Sequence, residues 1–73
     1  MSGAERRVRK ALIKETGRIN ARLITPEANL RDTLGLDSLD LFLVSMNLEA
    51  EYKDVCKSQT VRDLVAIVEQ RNK

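Results

Sequence analysis

The sequence predicts an all-α domain: a small antiparallel bundle of three to four helices with a long first loop and a short or missing third helix. Three observations carry this. Apolar residues recur at helical spacing in three separate segments. The second and third of these open on Asp37 and Thr60, each followed three residues later by an aspartate, as helix starts often are. Glycine and proline together number four, and the aromatics are Phe42 and Tyr52, too few for a hairpin-rich β fold. At 73 residues the chain makes one domain, residues 1–73. A domain this small has little room for an enclosed active site, so function is expected on its surface.

The first helix is expected from Ala4 to Thr16. Ala4, Val8, Ala11 and Leu12 form its apolar stripe, and Arg6, Arg7, Arg9, Lys10 and Lys14 lie on its other faces. Gly17 is its stop. The segment from Arg18 to Gly35 then reads as a long connection, with a turn or a single helical turn at Thr25-Pro26-Glu27. A structureless loop of this length is unusual in a compact domain, so it is either pinned by Ile19, Leu23, Ile24 and Leu30 or functional.

The second helix is expected from Ser38 to Tyr52, with Asp37 as N-cap and Asp40 completing a capping box. It has two apolar stripes on opposite sides. Leu39, Phe42, Leu43, Met46 and Ala50 form one; Leu41, Val44, Leu48 and Tyr52 form the other. One should pack the core, and periodicity leaves open whether the second is also core or an exposed interaction face. The connection "KDVCKSQ" follows, with Val55 and Cys56 as its apolar members. The last helix starts at Thr60, which forms a second capping box with Asp63. Val61, Leu64, Val65 and Val68 are its buried stripe, with Ile67 beside it.

Composition narrows the function. Hydrophobics at 42% and charged residues at 33% are those of a globular domain. No apolar run approaches membrane-spanning length, and the opening "MSGAERRVRK" lacks the apolar stretch of a signal peptide. The expected location is cytoplasmic, without membrane insertion. Cys56 is the single cysteine and histidine is absent. That excludes an internal disulfide, a Cys/His zinc site and a Ser-His or Cys-His nucleophile pair. Cys56 reads as a small buried or half-buried hydrophobe rather than a reactive thiol. Asp37 and Asp40 lie one turn apart, but their plain reading is negative charge complementing the helix dipole. Neither catalytic residues nor a metal site is expected.

Charge is segregated: residues 1–22 carry +5, residues 23–52 carry −5 and residues 53–73 carry +2. A basic first helix raises nucleic-acid binding as a function. No aromatic residues interleave the basic ones, so stacking on bases has no support, and a solvated helix face is the expectation. Ser38 stands at the N-terminus of the central helix, where free N–H groups and positive partial charge suit a phosphate. On these residues alone it is either part of a cap or a serine placed to carry or bind a phosphate. The neighbouring Asp37 would turn such a phosphate outward.

The stretch "LGLDSLD" resembles the attachment motif of the acyl carrier proteins, an Asp-Ser-Leu preceded by a glycine turn. The amphipathic first helix, the loop with Pro26 and Leu30, the helix ending "MNLEAEY" and the final "TVRDLVAIVEQ" fall at the family's spacing. The resemblance runs from about Glu5 to Gln70. It implies that Ser38 is esterified with phosphopantetheine from coenzyme A by a phosphopantetheinyl transferase, and that the protein is a carrier rather than an enzyme. It would hold acyl groups as thioesters and deliver them, as a monomer, to acyl-loading and acyl-processing enzymes of fatty-acid, lipid or polyketide synthesis. An aminoacyl or peptidyl carrier is the neighbouring alternative.

The resemblance also assigns the exposed stripe to partners. Asp37, Leu39, Asp40, Phe42, Leu43 and Met46 become the partner-binding residues, and Leu41, Val44, Leu48 and Tyr52 become core. Three departures from the family's pattern point to a specialised member. Leu43 stands where a glutamate is common, the chain is basic overall, and the connection from Tyr52 to Val61 is about six residues shorter than usual. The last shortens the helix that normally helps wall an acyl pocket. The rival classes are a small nucleic-acid-binding domain using Arg6, Arg7 and Arg9, and a helical module that docks without modification.

Overall fold

The structure, a computed structural model, describes residues 3–17 and 19–71. It contains four α-helices: α1 (Gly3–Thr16), α2 (Ser38–Leu48), α3 (Tyr52–Lys57) and α4 (Val61–Arg71). A single 3₁₀ turn spans Ala21–Leu23 in the first loop. Helix α1 packs on α2 and α4, and α3 packs on α2. The expected all-α bundle is therefore what forms, with the third helix short rather than missing. Arg18, with which the first loop opens, lies outside the described residues.

Helix α1 buries Ala4, Val8, Ala11 and Leu12, the stripe its spacing sets. It ends as expected at Gly17, whose φ of +66° is easily reached only by glycine. The Gly17 N–H closes the last turn on the Ile13 carbonyl at 2.9 Å. Between α1 and α2, the Asn47 side-chain amide donates to Glu15 at 2.7 Å.

The long loop is held by packing and by hydrogen bonds. Ile24, Ala28, Leu30, Leu34 and Leu36 join the core. Ile19 is partly buried against it, but Leu23 is exposed and pins nothing, because the 3₁₀ turn points it to solvent. The Arg9 guanidinium donates to the Ile24 carbonyl at 2.7 Å, which ties the loop to α1. Thr25 to Ala28 closes the expected turn, with the Ala28 N–H donating to the Thr25 carbonyl at 3.0 Å. At the other end of the molecule's sequence, the chain just before α4 clamps the loop. Leu30 N–H donates to the Gln59 carbonyl at 2.8 Å, Val61 N–H to Ala28 at 3.1 Å and Arg62 N–H to Pro26 at 3.0 Å.

Helix α2 is shorter than its periodicity implied. It stops at Leu48, and Glu49 takes a left-handed conformation at φ 56°. The Glu49 N–H bonds back to Met46 and the Ala50 N–H to Ser45 at 2.9 Å, the pairing of a Schellman cap. The chain reverses there, so Tyr52 does not extend the buried stripe of α2. It opens α3 instead and is exposed. Val55 is the residue α3 buries, and Cys56 is half-buried as expected.

Helix α4 starts on the anticipated box. Asp63 accepts from the Gln59 and Thr60 N–H groups at 2.8 and 3.1 Å, and its own N–H reaches the Thr60 hydroxyl at 3.4 Å. The Gln59 and then the Thr60 N–H bond hold its carboxyl below the ordinary carboxylate range. Because the folded value lies below the unfolded one, this contribution is complete above the unfolded value of about 3.9 and is lost as pH falls through the folded value. Urea midpoints measured from neutral pH to about pH 3 should fall, and Asp63→Asn should flatten part of that fall. An unchanged pH profile in the variant would count against this role for the box.

Candidate functional site

Ser38 is the first residue of α2, and three local features place it. Asn29 accepts the Arg31 and Asp32 N–H groups on its side-chain oxygen at 2.9 and 2.8 Å, starting a tight turn. That turn runs into Gly35 at φ +69°, a conformation that strains any residue with a Cβ. Leu34 and Leu36 on either side are buried, so the glycine lies between two anchors. The backbone then emerges at Asp37 in extended conformation and turns into the helix.

The cap is a reciprocal box, as expected. Asp40 N–H donates to Asp37 Oδ1 at 2.9 Å, and Asp37 N–H donates to Asp40 Oδ2 at 3.3 Å. The first intrahelical bond runs from Leu41 N–H to the Asp37 carbonyl at 3.0 Å. The N–H groups of Ser38 and Leu39 lie ahead of it, at the positive end of the helix. Ser38 itself takes no part in the box, and its side chain is exposed.

The two stripes of α2 separate cleanly. Leu41, Val44 and Leu48 are buried, in one core cluster with Val8, Leu12, Leu64 and Val68. Leu39, Phe42 and Met46 are 63%, 44% and 61% exposed, and Leu43 is half-buried. Large apolar side chains left so open beside one another form the kind of patch that marks an interaction surface. Of the six residues expected to meet partners, Asp40 stands apart. It is only 6% exposed and spends its carboxylate on the cap, so its place is in holding the helix start and not on the surface. Asp37 is exposed.

Sequence reasoning missed the far side of Ser38. The reversal at Glu49 brings Tyr52 back along α2, where its ring meets Phe42 edge-on, centroids 5.7 Å apart and planes at 79°. Ser38 is one helical turn before Phe42, and Cys56 one turn after Tyr52, so both lie on the side of the helices where the Tyr52 phenol sits. Its pKa is raised, by the Cys56 hydrogen bond foremost, then by burial and the Cys56 charge, against smaller opposing effects of Ser38 and Arg31. The Arg31 guanidinium donates to the Cys56 carbonyl at 3.2 Å. No residue-type signal announced this. A glutamate, not a glycine, makes the turn, and the reading of Tyr52 as core followed from extending α2 through it.

Two surface grooves lie elsewhere. One is lined by Glu5, Arg9, Pro26, Val61 and Val65 between α1, the loop and α4; the other by Asp54, Lys57, Ile67 and Arg71 between α3 and α4. Ser38 lines neither. Among the described residues no cluster of His, Cys, Asp and Glu could hold a metal, and no helix is long and apolar enough to cross a membrane.

The structure thus presents an exposed serine on the first turn of a helix with an apolar patch beside it. Comparison with known proteins identifies the family. Residues 6–68 match the family model described as the phosphopantetheine attachment site. The chain is 37% identical over 68 residues to an acyl carrier protein of Thermotoga maritima, covering 85% of this chain and 84% of that one. It is 32% identical over 77 residues to an acyl carrier protein of Solidesulfovibrio magneticus, covering 97% and 96%. The chain belongs to the acyl carrier protein family, whose cofactor is phosphopantetheine. No solved structure matches it significantly. The residues at Ser38 would fit that cofactor: an exposed hydroxyl for the ester and helix N–H groups ahead of the first intrahelical bond.

Proposed function

We propose that this protein carries acyl groups on a phosphopantetheine arm attached at Ser38, and that a phosphopantetheinyl transferase installs the arm. The observation that carries this reading is the exposure of Ser38 beside a capping box that works without it. The hydroxyl is free to form the phosphodiester while the nucleotide part of coenzyme A departs. When attached, the arm supplies the thiol that holds the acyl group as a thioester. The chain's own residues present the arm and recognise the enzymes it visits. Leu39, Phe42, Leu43 and Met46 form the apolar centre of the docking face, and Asp37 gives it an acidic edge that steers basic partners.

Leu43 in place of an acidic residue makes that face greasier than is common in the family, and α1 adds a basic surface. Both favour a specialised carrier with few partners, acting in fatty-acid, lipid or polyketide synthesis. Intact mass after incubation with coenzyme A and a broad-specificity transferase tests the reading. The expected result is a gain of one phosphopantetheine, mapped by peptide analysis to Ser38. Absence of any gain with a transferase that modifies a control carrier would defeat it, and a gain on another residue would defeat the site.

A further inference from the structure

The neighbours of Ser38 support a second step, which rests on the carrier reading. We propose that Arg31 and Tyr52 form a seat for the phosphodiester of the arm, the guanidinium facing its charge and the phenol donating to one of its oxygens. Three separate elements meet there: the loop brings Arg31, α2 brings Ser38, and α3 brings Tyr52 and Cys56. The Arg31 bond to the Cys56 carbonyl at 3.2 Å fixes the guanidinium over α3. That bond uses one of five N–H donors, leaving others for an anion. Guanidinium groups match phosphate oxygens in geometry and charge.

Tyr52 is held as well. Its edge-on contact with Phe42, one helical turn after Ser38, holds the ring on the side of α2 that presents the serine. In the ester the phosphorus lies one P–O bond beyond the Ser38 oxygen and the free phosphate oxygens one bond further, so they extend from the serine toward donors that stand beside it. The Asp37 carboxylate is bonded to the Asp40 N–H. Its negative charge opposes the phosphate there and favours the side where Arg31 stands. A seated phosphate sets the side from which the arm leaves α2: the α3 side, over the Phe42–Tyr52 pair.

Tyr52 is the sole tyrosine, so phenolate absorbance reads it alone. The apo and holo forms of the wild type and of Arg31→Gln would be titrated, with circular dichroism confirming the fold throughout. In the wild type, attaching the arm should shift the Tyr52 titration to higher pH, since a phosphate charge opposes the phenolate. That shift should grow in Arg31→Gln, where no guanidinium offsets the phosphate. The ³¹P resonance of the holo protein should move in Arg31→Gln and stay in place in Arg22→Gln, a change on the 3₁₀ turn. Coincident apo and holo titrations, or a ³¹P resonance indifferent to Arg31, would overturn the seat. Mass gain at Ser38 with either of those results leaves the carrier reading standing and removes the seat alone. No mass gain removes both.

Discussion

Ser38→Ala should lose the phosphopantetheine mass gain completely, and all acyl loading with it, while keeping the fold. The two halves of that expectation come from one geometry. The box that starts α2 is made by Asp37 and Asp40, so removing the serine hydroxyl breaks no bond of the cap. An exposed substitution of this kind changes stability by no more than about 0.5 kcal/mol. For a domain of this size that is a shift in Tm of roughly 2–4 °C at most. Thermal unfolding by circular dichroism checks the first half and intact mass the second. A helical module that docks without modification gives the opposite outcome: Ser38→Ala would leave its function intact. A large fall in Tm would show that the serine is structural after all.

Leu41→Ala should be the more damaging change to the molecule itself. Leu41 is 1% exposed, and its neighbour two residues earlier, Leu39, is 63% exposed. Truncating a buried leucine costs about 2–5 kcal/mol, the lost transfer energy plus the cavity. Total stability for a chain of this length is roughly 4–11 kcal/mol. Leu41→Ala thus removes a large part of it, and Tm should fall by about 10 °C or more. Leu39→Ala should stay within about 0.5 kcal/mol of the wild type and should instead slow transfer of cargo to partner enzymes. Urea unfolding of the two variants side by side separates the faces of α2. Equal losses of stability would contradict the division into core and docking face.

Much of this was legible in the sequence because it is local. The stripe of α1 and its glycine stop follow from spacing and from one backbone conformation. Both capping boxes follow from residue types three positions apart. The identity of the inner stripe of α2 did not follow from spacing, since two opposed stripes satisfy the same period; the resemblance to carriers chose between them, and burial agrees. The end of α2 was not legible. "LEAEY" is a good helical sequence, and the stop at Glu49 needs a non-glycine residue in the left-handed region, supported by Schellman bonds and by the packing of Val55 beyond it. Tyr52 was misplaced for that reason, and the cluster it forms with Ser38, Cys56 and Arg31 was hidden with it. Asp40 shows a similar limit: its spacing names the cap partner but says nothing of how deeply the pair sits. The six residues of α3 are too few for any period to register.

The clamp between residues 26–30 and 59–62 has a consequence for the setting in which Ser38 is presented. The turn at Asn29 and the glycine that follows are held against the chain entering α4, about thirty residues away along the sequence. A contact of that span forms only once the entropy of the intervening loop has been lost. Until then, "DSL" is an ordinary exposed tripeptide without a helix start, a docking face or a cation at its side. A modifying enzyme that reads those features would therefore be reading the state of the whole chain.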